Sequence, residues 1–283
     1  MLPANFSRMV VERLAVTDAD GEGLRPRSLG ELLHGTELGE SHPKRDLLDS
    51  ATALAEWLPP GLHAVVGAPG IGQFELVWFM AREVACTGKR VLFLSLDQDT
   101  PTFLRRVLEQ QRQAGDPNSV SVETARETLS ELPIDVLEAP TLGVDDVFEL
   151  TGKIPDLALV VIDSFDRIVP SHLEELGHFA RRHAAITLAA TARAVAVPIV
   201  ATSSVVTKCV QCGAPGPGVF PAVGHDPLGL ASEADYLWAL NRESYWQKDG
   251  DPALAVWISG RDGTSLHTVI EPPMMRSGTP QPT

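Results

Sequence analysis

The sequence predicts an α/β protein: a mainly parallel central sheet with helices on both faces and an antiparallel hairpin near its C-terminal end. Three observations predict it. From Pro59 onward, short β-rich apolar runs alternate with helical stretches, LHAVV (62–66) before a helix over 75–87 and RVLFLSL (90–96) before a helix over 100–113. Those runs are apolar almost without interruption, as strands covered on both faces are. Two later runs, ADYLWAL (234–240) and LAVWIS (254–259), are joined by a polar turn-like segment with no helix between them, which predicts an antiparallel extension on one edge.

Composition narrows the function classes. The 283 residues are 44% hydrophobic and 21% charged, a globular balance with enough apolar side chain for a substantial core. The net charge of −14 repels phosphate backbones and anionic membranes unless basic residues are gathered in one place, so indiscriminate nucleic-acid coating is excluded. No run approaches the roughly 18 apolar residues needed to cross a bilayer. Arg8, Glu12 and Arg13 interrupt the N-terminus where a signal peptide needs an apolar stretch, so a cytoplasmic location is expected. Three cysteines form no disulfide framework, which agrees with a reducing compartment.

Along the chain, residues 1–57 read as an N-terminal arm and lead-in helix: a polar stretch over 17–27, a short amphipathic piece over 28–33 and a helix-like run over 45–57. Residues 58–271 form the α/β domain. After its first two strand–helix units come a strand at 134–137, a helix near 144–150, the strand LALVVI (157–162), an Ala-rich helix over about 173–194 and the strand PIVATSS (198–204). A Gly/Pro-rich segment over 209–229 is long for a loop, and residues 272–283 read as a disordered tail. Phe74, Val77, Trp78 and Ala81 follow a helical stripe that fits core packing.

The strongest local signal is the strand LHAVV followed by Gly67-Ala68-Pro69-Gly70-Ile71-Gly72-Gln73-Phe74 and a helix. This is the context and glycine spacing of a phosphate-binding loop, whose backbone N–H groups and helix N-terminus cradle an anion. Gln73 stands where a lysine would reach the β- and γ-phosphates, and Phe74 where a hydroxyl would hold Mg²⁺. Hydrolysis should be crippled, while the backbone nest could still hold a nucleotide weakly. The same glycines would equally serve a plain tight turn. A second signal, Asp163 at the end of LALVVID, matches the acid that holds Mg²⁺ in such proteins, though an acid at a strand end is often only a solvated terminus.

With these placed, residues 58–271 resemble the RecA-like ATPase domain of DnaB-type (superfamily four) helicases and their RecA, KaiC and RAD55 relatives. The matching segments run in the family's order: PPGLHAVVGAPGIG, GKRVLFLSLDQD, LPIDVLEAPTLGVDDV, LALVVIDSFDRI, VPIVATSSV, then ASEADYLWALNRESYW with LAVWISGRDGTSLHTVIE. The resemblance implies a RecA-like P-loop fold, ATP and Mg²⁺ as cofactors of an intact member, and a nucleotide site at Gly67, Gly70, Gly72, Gln73, Phe74, Asp163 and Ser203. The family's catalytic glutamate corresponds to Asp97, a shorter carboxylate, and its polar sensor to Ser203 or Ser204. Of the Lys-x-Arg pair that reaches a neighbouring subunit's nucleotide, the lysine is replaced by Ser259 and Arg261 remains.

The loss is therefore one-sided: the machinery acting on the chain's own nucleotide is altered, while a finger acting in trans is kept. Arg261 reads equally as a surface arginine beside the Asp262-Gly263 turn. The resemblance implies a pseudo-ATPase acting as a regulatory or scaffolding subunit in a DNA-related assembly, in a homo- or hetero-oligomer with RecA-like ATPase subunits. The rivals are an active DNA-dependent ATPase or helicase with an atypical loop, and a structural protein that polymerises without nucleotide. Single-stranded DNA binding is expected to be weak or absent, because between Val205 and Leu230 the only basic residue is Lys208 and the only aromatic Phe220. Too few residues precede the domain for a primase-interacting module, so a replicative role is not expected.

Two further patterns carry less. Cys209 and Cys212, with His225 and Asp226 in the same segment, have the spacing of half a zinc site but lack a second pair. Arg105-Arg106 and Arg181-Arg182-His183 sit on expected helices, where a solvated face is the ordinary reading.

Overall fold

The computed structural model describes residues 27–29, 58–114, 121–170, 179–204, 229–247, 253–261 and 265–270. Most of the N-terminal arm, the 205–228 segment with Cys209 and Cys212, and the tail lie outside the described residues.

The apolar runs form one nine-stranded sheet. Its strands are β1 (Arg27–Ser28), β2 (Gly61–Gly67), β3 (Arg90–Ser95), β4 (Ile134–Glu138), β6 (Leu157–Asp163), β8 (Pro198–Ser204), β9 (Tyr236–Asn241), β10 (Leu254–Gly260) and β11 (Ser265–Ile270), in the order β1-β4-β3-β6-β8-β2-β9-β10-β11. The six strands from β4 to β9 in that order are mutually parallel. β10 and β11 extend one edge antiparallel, and β1 closes the other edge by pairing Arg27 with Val136 and Ser28 with Asp135. A separate two-stranded piece joins β5 (Leu142–Gly143) to β7 (Ile168–Val169).

Because successive side chains on a strand point to opposite faces, each central strand feeds two cores. On one face Val65, Phe93 and Val161 pack against α1 (Gln73–Cys86), α2 (Thr100–Ala114) and α3 (Val122–Ser130). On the other face Val66, Leu92 and Val160 meet α4 (Val144–Lys153), α5 (Ala180–Val195) and the single turn α6 (Leu230–Glu233). Ala184, Ala185, Ala189 and Ala192 of α5 are all buried, so this helix meets the sheet through small side chains. The expected stripe Phe74, Val77, Trp78 and Ala81 is buried as one face of α1.

Three features differ from the sequence expectation. α3 is not announced by periodicity; it is started by Ser121, whose hydroxyl accepts from the Thr124 N–H at 3.0 Å. The segment between β9 and β10 contains one helical turn, α7 (Glu243–Trp246). The short amphipathic piece of the arm begins as the edge strand β1, and Leu29 behind it is fully buried in the core beneath α1. A two-residue edge strand offers little template for pairing with another chain.

Candidate functional site

The parallel strands end together, and the site residues stand along that carboxyl edge, where open α/β sheets bind ligands. β2 ends at Gly67, the loop runs through Ala68–Gly72, and α1 begins at Gln73. The Ile71 N–H donates to the Ala68 carbonyl at 3.1 Å, closing a tight turn with Pro69 and Gly70 exposed at its tip. Ile71 folds inward: a Cβ placed on Gly67 would lie 2.7 Å from Ile71 Cγ2, so only glycine fits there. Gly72 has φ 129°, and a Cβ there would meet the Arg242 guanidinium at 3.0 Å.

Gln73 is buried. Its side-chain amide donates to the Ser203 carbonyl at 2.9 Å and to the Gly67 carbonyl at 3.2 Å. Both partners are acceptors, so the NH₂ must face them. The residue in the lysine position therefore ties the end of β8 to the end of β2. Phe74, in the hydroxyl position, points into the core, edge-on to Phe93 and Phe103 at 6.2 and 5.9 Å between ring centres. Trp78 continues that aromatic cluster, edge-on to Phe103 at 5.8 Å.

Asp163 ends β6, next to β8 and β3, and is almost fully buried. Thr202 Oγ1 donates to its Oδ1 at 2.7 Å, and the Gln98 side-chain amide donates to its Oδ2 at 3.1 Å. Burial raises its pKa, an effect the Thr202 bond and the Arg106 charge oppose. Ser203 is buried beside it, and its hydroxyl donates to Asp166 Oδ1 at 3.2 Å. Asp97, at the catalytic-glutamate position, is half-exposed and accepts from Arg167 Nη2 at 2.9 Å and Nε at 3.0 Å.

Arg261 stands at the other end of the sheet. The Asp235 N–H donates to the Leu62 carbonyl, and the Arg261 N–H to the Asp235 carbonyl, which sets Arg261 level with the start of β2. Its guanidinium donates to the Ser232 carbonyl at 2.9 Å and lies 3.9 Å from Glu233. At about 3.3 Å per residue, Arg261 is roughly 16 Å from its own phosphate-type loop.

The structure brings Gly67, Gly70, Gly72, Gln73, Phe74, Asp163 and Ser203 to one place and leaves Arg261 elsewhere. It adds two arginines. Arg106, expected on a solvated face, lies over the Phe74 ring with its guanidinium carbon 3.9 Å from the ring centre and donates to Glu75 Oε1 at 2.6 Å. Arg242, at the end of β9, is buried against Gly72. The other basic cluster is likewise engaged: Arg181 donates to the Asp166 and Ile168 carbonyls, and Arg182 to Glu233 at 2.6 Å. The signal for Arg106 is its register on α2, three residues after Phe103, but what it faces depends on how α2 packs on α1.

An anion fits the open glycine turn ahead of α1. A magnesium ion does not fit the side chains present. Phe74 supplies no oxygen, and both oxygens of Asp163 are held by Thr202 and Gln98. Among the described residues no group of three or more His, Cys, Asp or Glu is placed to hold a metal, and no helix is long and apolar enough to cross a membrane.

No known protein family and no curated protein matches the sequence. Solved structures do match. One, an ATPase domain solved by itself, superposes with TM-score 0.62 at 17% identity, over 75% of this chain and 81% of that one. A DnaB-like replicative helicase, solved to show its interactions with primase, gives the same score and identity over 75% of this chain, which spans 55% of the helicase. At this identity the likeness speaks for the fold: the chain carries the RecA-like fold of DnaB-type helicase ATPase domains.

Proposed function

We propose that this chain is a degenerate RecA-type protein that does not turn over ATP and acts by association with RecA-like ATPase subunits, as a regulatory or scaffolding member of a DNA-related assembly. One observation carries the reading: the Gln73 amide is spent on the Ser203 and Gly67 carbonyls, where catalysis needs a cation on the transferred phosphoryl group. The rest of the edge is consistent with it. Phe74 is core, Asp163 is capped by protein donors, and Asp97 faces Arg167. Each carboxylate that could orient an attacking water at this edge is thus held by a side chain of the protein.

Arg261 supports the association half of the reading. At the opposite end of the sheet it is out of reach of its own loop, but head-to-tail contact between subunits would bring it to a neighbour's loop. That gives a heterologous interface, the kind that builds rings and filaments of RecA-like subunits.

ATP turnover by the purified protein, with and without single-stranded DNA, tests the reading. Background turnover in both conditions is expected. Turnover at the level of an active helicase would overturn it and favour the working-enzyme alternative.

A further inference from the structure

The disagreement between the site and magnesium has a positive side, because positive charge has not left this edge of the sheet. It comes from other elements. Arg106 reaches over from α2 and lies flat on the ring that replaces the metal-binding hydroxyl, and its charge is felt at Asp163, the residue that in an intact site would face the metal. Arg242 comes from the end of β9 and abuts Gly72, the last loop residue before α1. Glu75, in the first turn of α1, pairs with Arg106 at 2.6 Å and acts electrostatically on Arg242. One carboxylate thus serves two guanidiniums. Arg167 and Asp97 pair with each other, and Asp163 is held by Thr202 and Gln98.

Guanidinium groups suit this place. They stay charged at neutral pH, they stack on aromatic faces, and they present parallel N–H donors that match phosphate oxygens. Gly70 at the loop tip has nothing within 4 Å of where a Cβ would stand, so space for an anion is open between the tip and the arginines.

We propose that Arg106, seated on Phe74, supplies the charge that lysine and Mg²⁺ supply in a working phosphate loop, with Arg242 beside it, making this a magnesium-independent site for the diphosphate group of a nucleotide. The inference rests on the catalytically silent reading above and adds a ligand to it. A nucleotide held without a metal is a structural ligand: it is bound and not cleaved.

Equilibrium binding of ADP, ATP and inorganic pyrophosphate to the full chain, in excess EDTA and in excess Mg²⁺, tests the proposal. Affinity within about twofold between the two buffers is expected, with a loss of about tenfold in Arg106→Ala, the size of one charge-assisted contact. Arg106→Met keeps the Phe74 ring covered and removes only the charge, so it should fold as the parent does and bind as weakly as Arg106→Ala. ADP binding tighter than pyrophosphate adds the nucleoside to the recognised group, and equal affinity assigns the site to the diphosphate alone. Binding that appears only with Mg²⁺, an Arg106→Met variant that binds like the parent, or no binding of any probe in either buffer overturns the proposal. None of those three results produces turnover, so the catalytically silent reading stands or falls separately.

Discussion

The Gln73 side-chain amide donates to the Ser203 carbonyl at 2.9 Å, joining the residue in the lysine position of the loop to the end of the strand that carries the polar sensor position. The contact is buried, and with the second bond to the Gly67 carbonyl it makes Gln73 a structural clamp between β8 and β2.

Removing the clamp should cost stability. Gln73→Ala is expected to lower the unfolding free energy by about 1–3 kcal/mol, the cost of stranding buried acceptors. Gln73→Lys keeps donors for the same two carbonyls and should cost less. Urea unfolding of the two variants beside the parent checks the order; an Ala variant as stable as the parent would show that the carbonyls find other partners.

Phe74 is committed to the core in the same way. Phe74→Thr removes a ring that meets Phe93 and Phe103, and about 3–5 kcal/mol of stability should go with it. Restoring the familiar loop chemistry with Gln73→Lys and Phe74→Thr together should therefore lower the melting temperature while ATP turnover stays at background. A double variant that melts like the parent would mean the ring contributes little.

His63 predicts a pH dependence. It is fully buried, its Nδ1 accepts from the Trp238 indole at 3.1 Å, its Nε2–H donates to the Pro59 carbonyl at 2.8 Å, and it stacks on Tyr236 at 4.7 Å. Burial pushes its pKa down from 6.5 to about 4, although the Pro59 bond and the Asp235 charge pull the other way. The unfolded chain then binds more protons between those values, so the neutral ring's contribution is complete above pH 6.5 and is lost as pH falls toward 4. The loss amounts to about 3 kcal/mol. His63→Phe should be less stable at pH 8 yet lack this part of the slope. Unfolding free energies of both proteins across pH 4–8 give the difference curve, and parallel curves would show that His63 titrates normally.

Arg261 is half-exposed, and its contacts with Ser232 and Glu233 are surface contacts. Arg261→Ala should change the stability of the isolated chain by less than about 1 kcal/mol. The same variant is expected to reduce the ATP turnover of a co-purified RecA-like ATPase, and an unchanged partner rate would remove the trans role.

Much of the fold is legible because the relevant signals are local. Near-continuous apolar runs such as LALVVI announce strands covered on both faces, and PIVATSS is β8 over the whole run. Strand order and the two cores are not written in any one segment. The helix over 122–130 escapes a periodicity reading because its stripe is short, with only Ala125 and Leu129 buried. In the site, the absent lysine and hydroxyl can be read from Gln73 and Phe74 alone. Their present occupations cannot, since the Gln73 acceptors lie 6 and 130 residues away and Asp163 is capped from Gln98 and Thr202.

By itself, then, the sequence determined the α/β class, the loop's glycine spacing and the removal of the residues that do chemistry there, because each depends on residue type and short-range spacing. Only the tertiary structure decided where charge returned. Arg106 and Glu75 are 31 residues apart in sequence, and it is the packing of α2 on α1 that sets that guanidinium over Phe74. A side chain's charge belongs to the sequence, but the atoms it acts on are chosen by the fold.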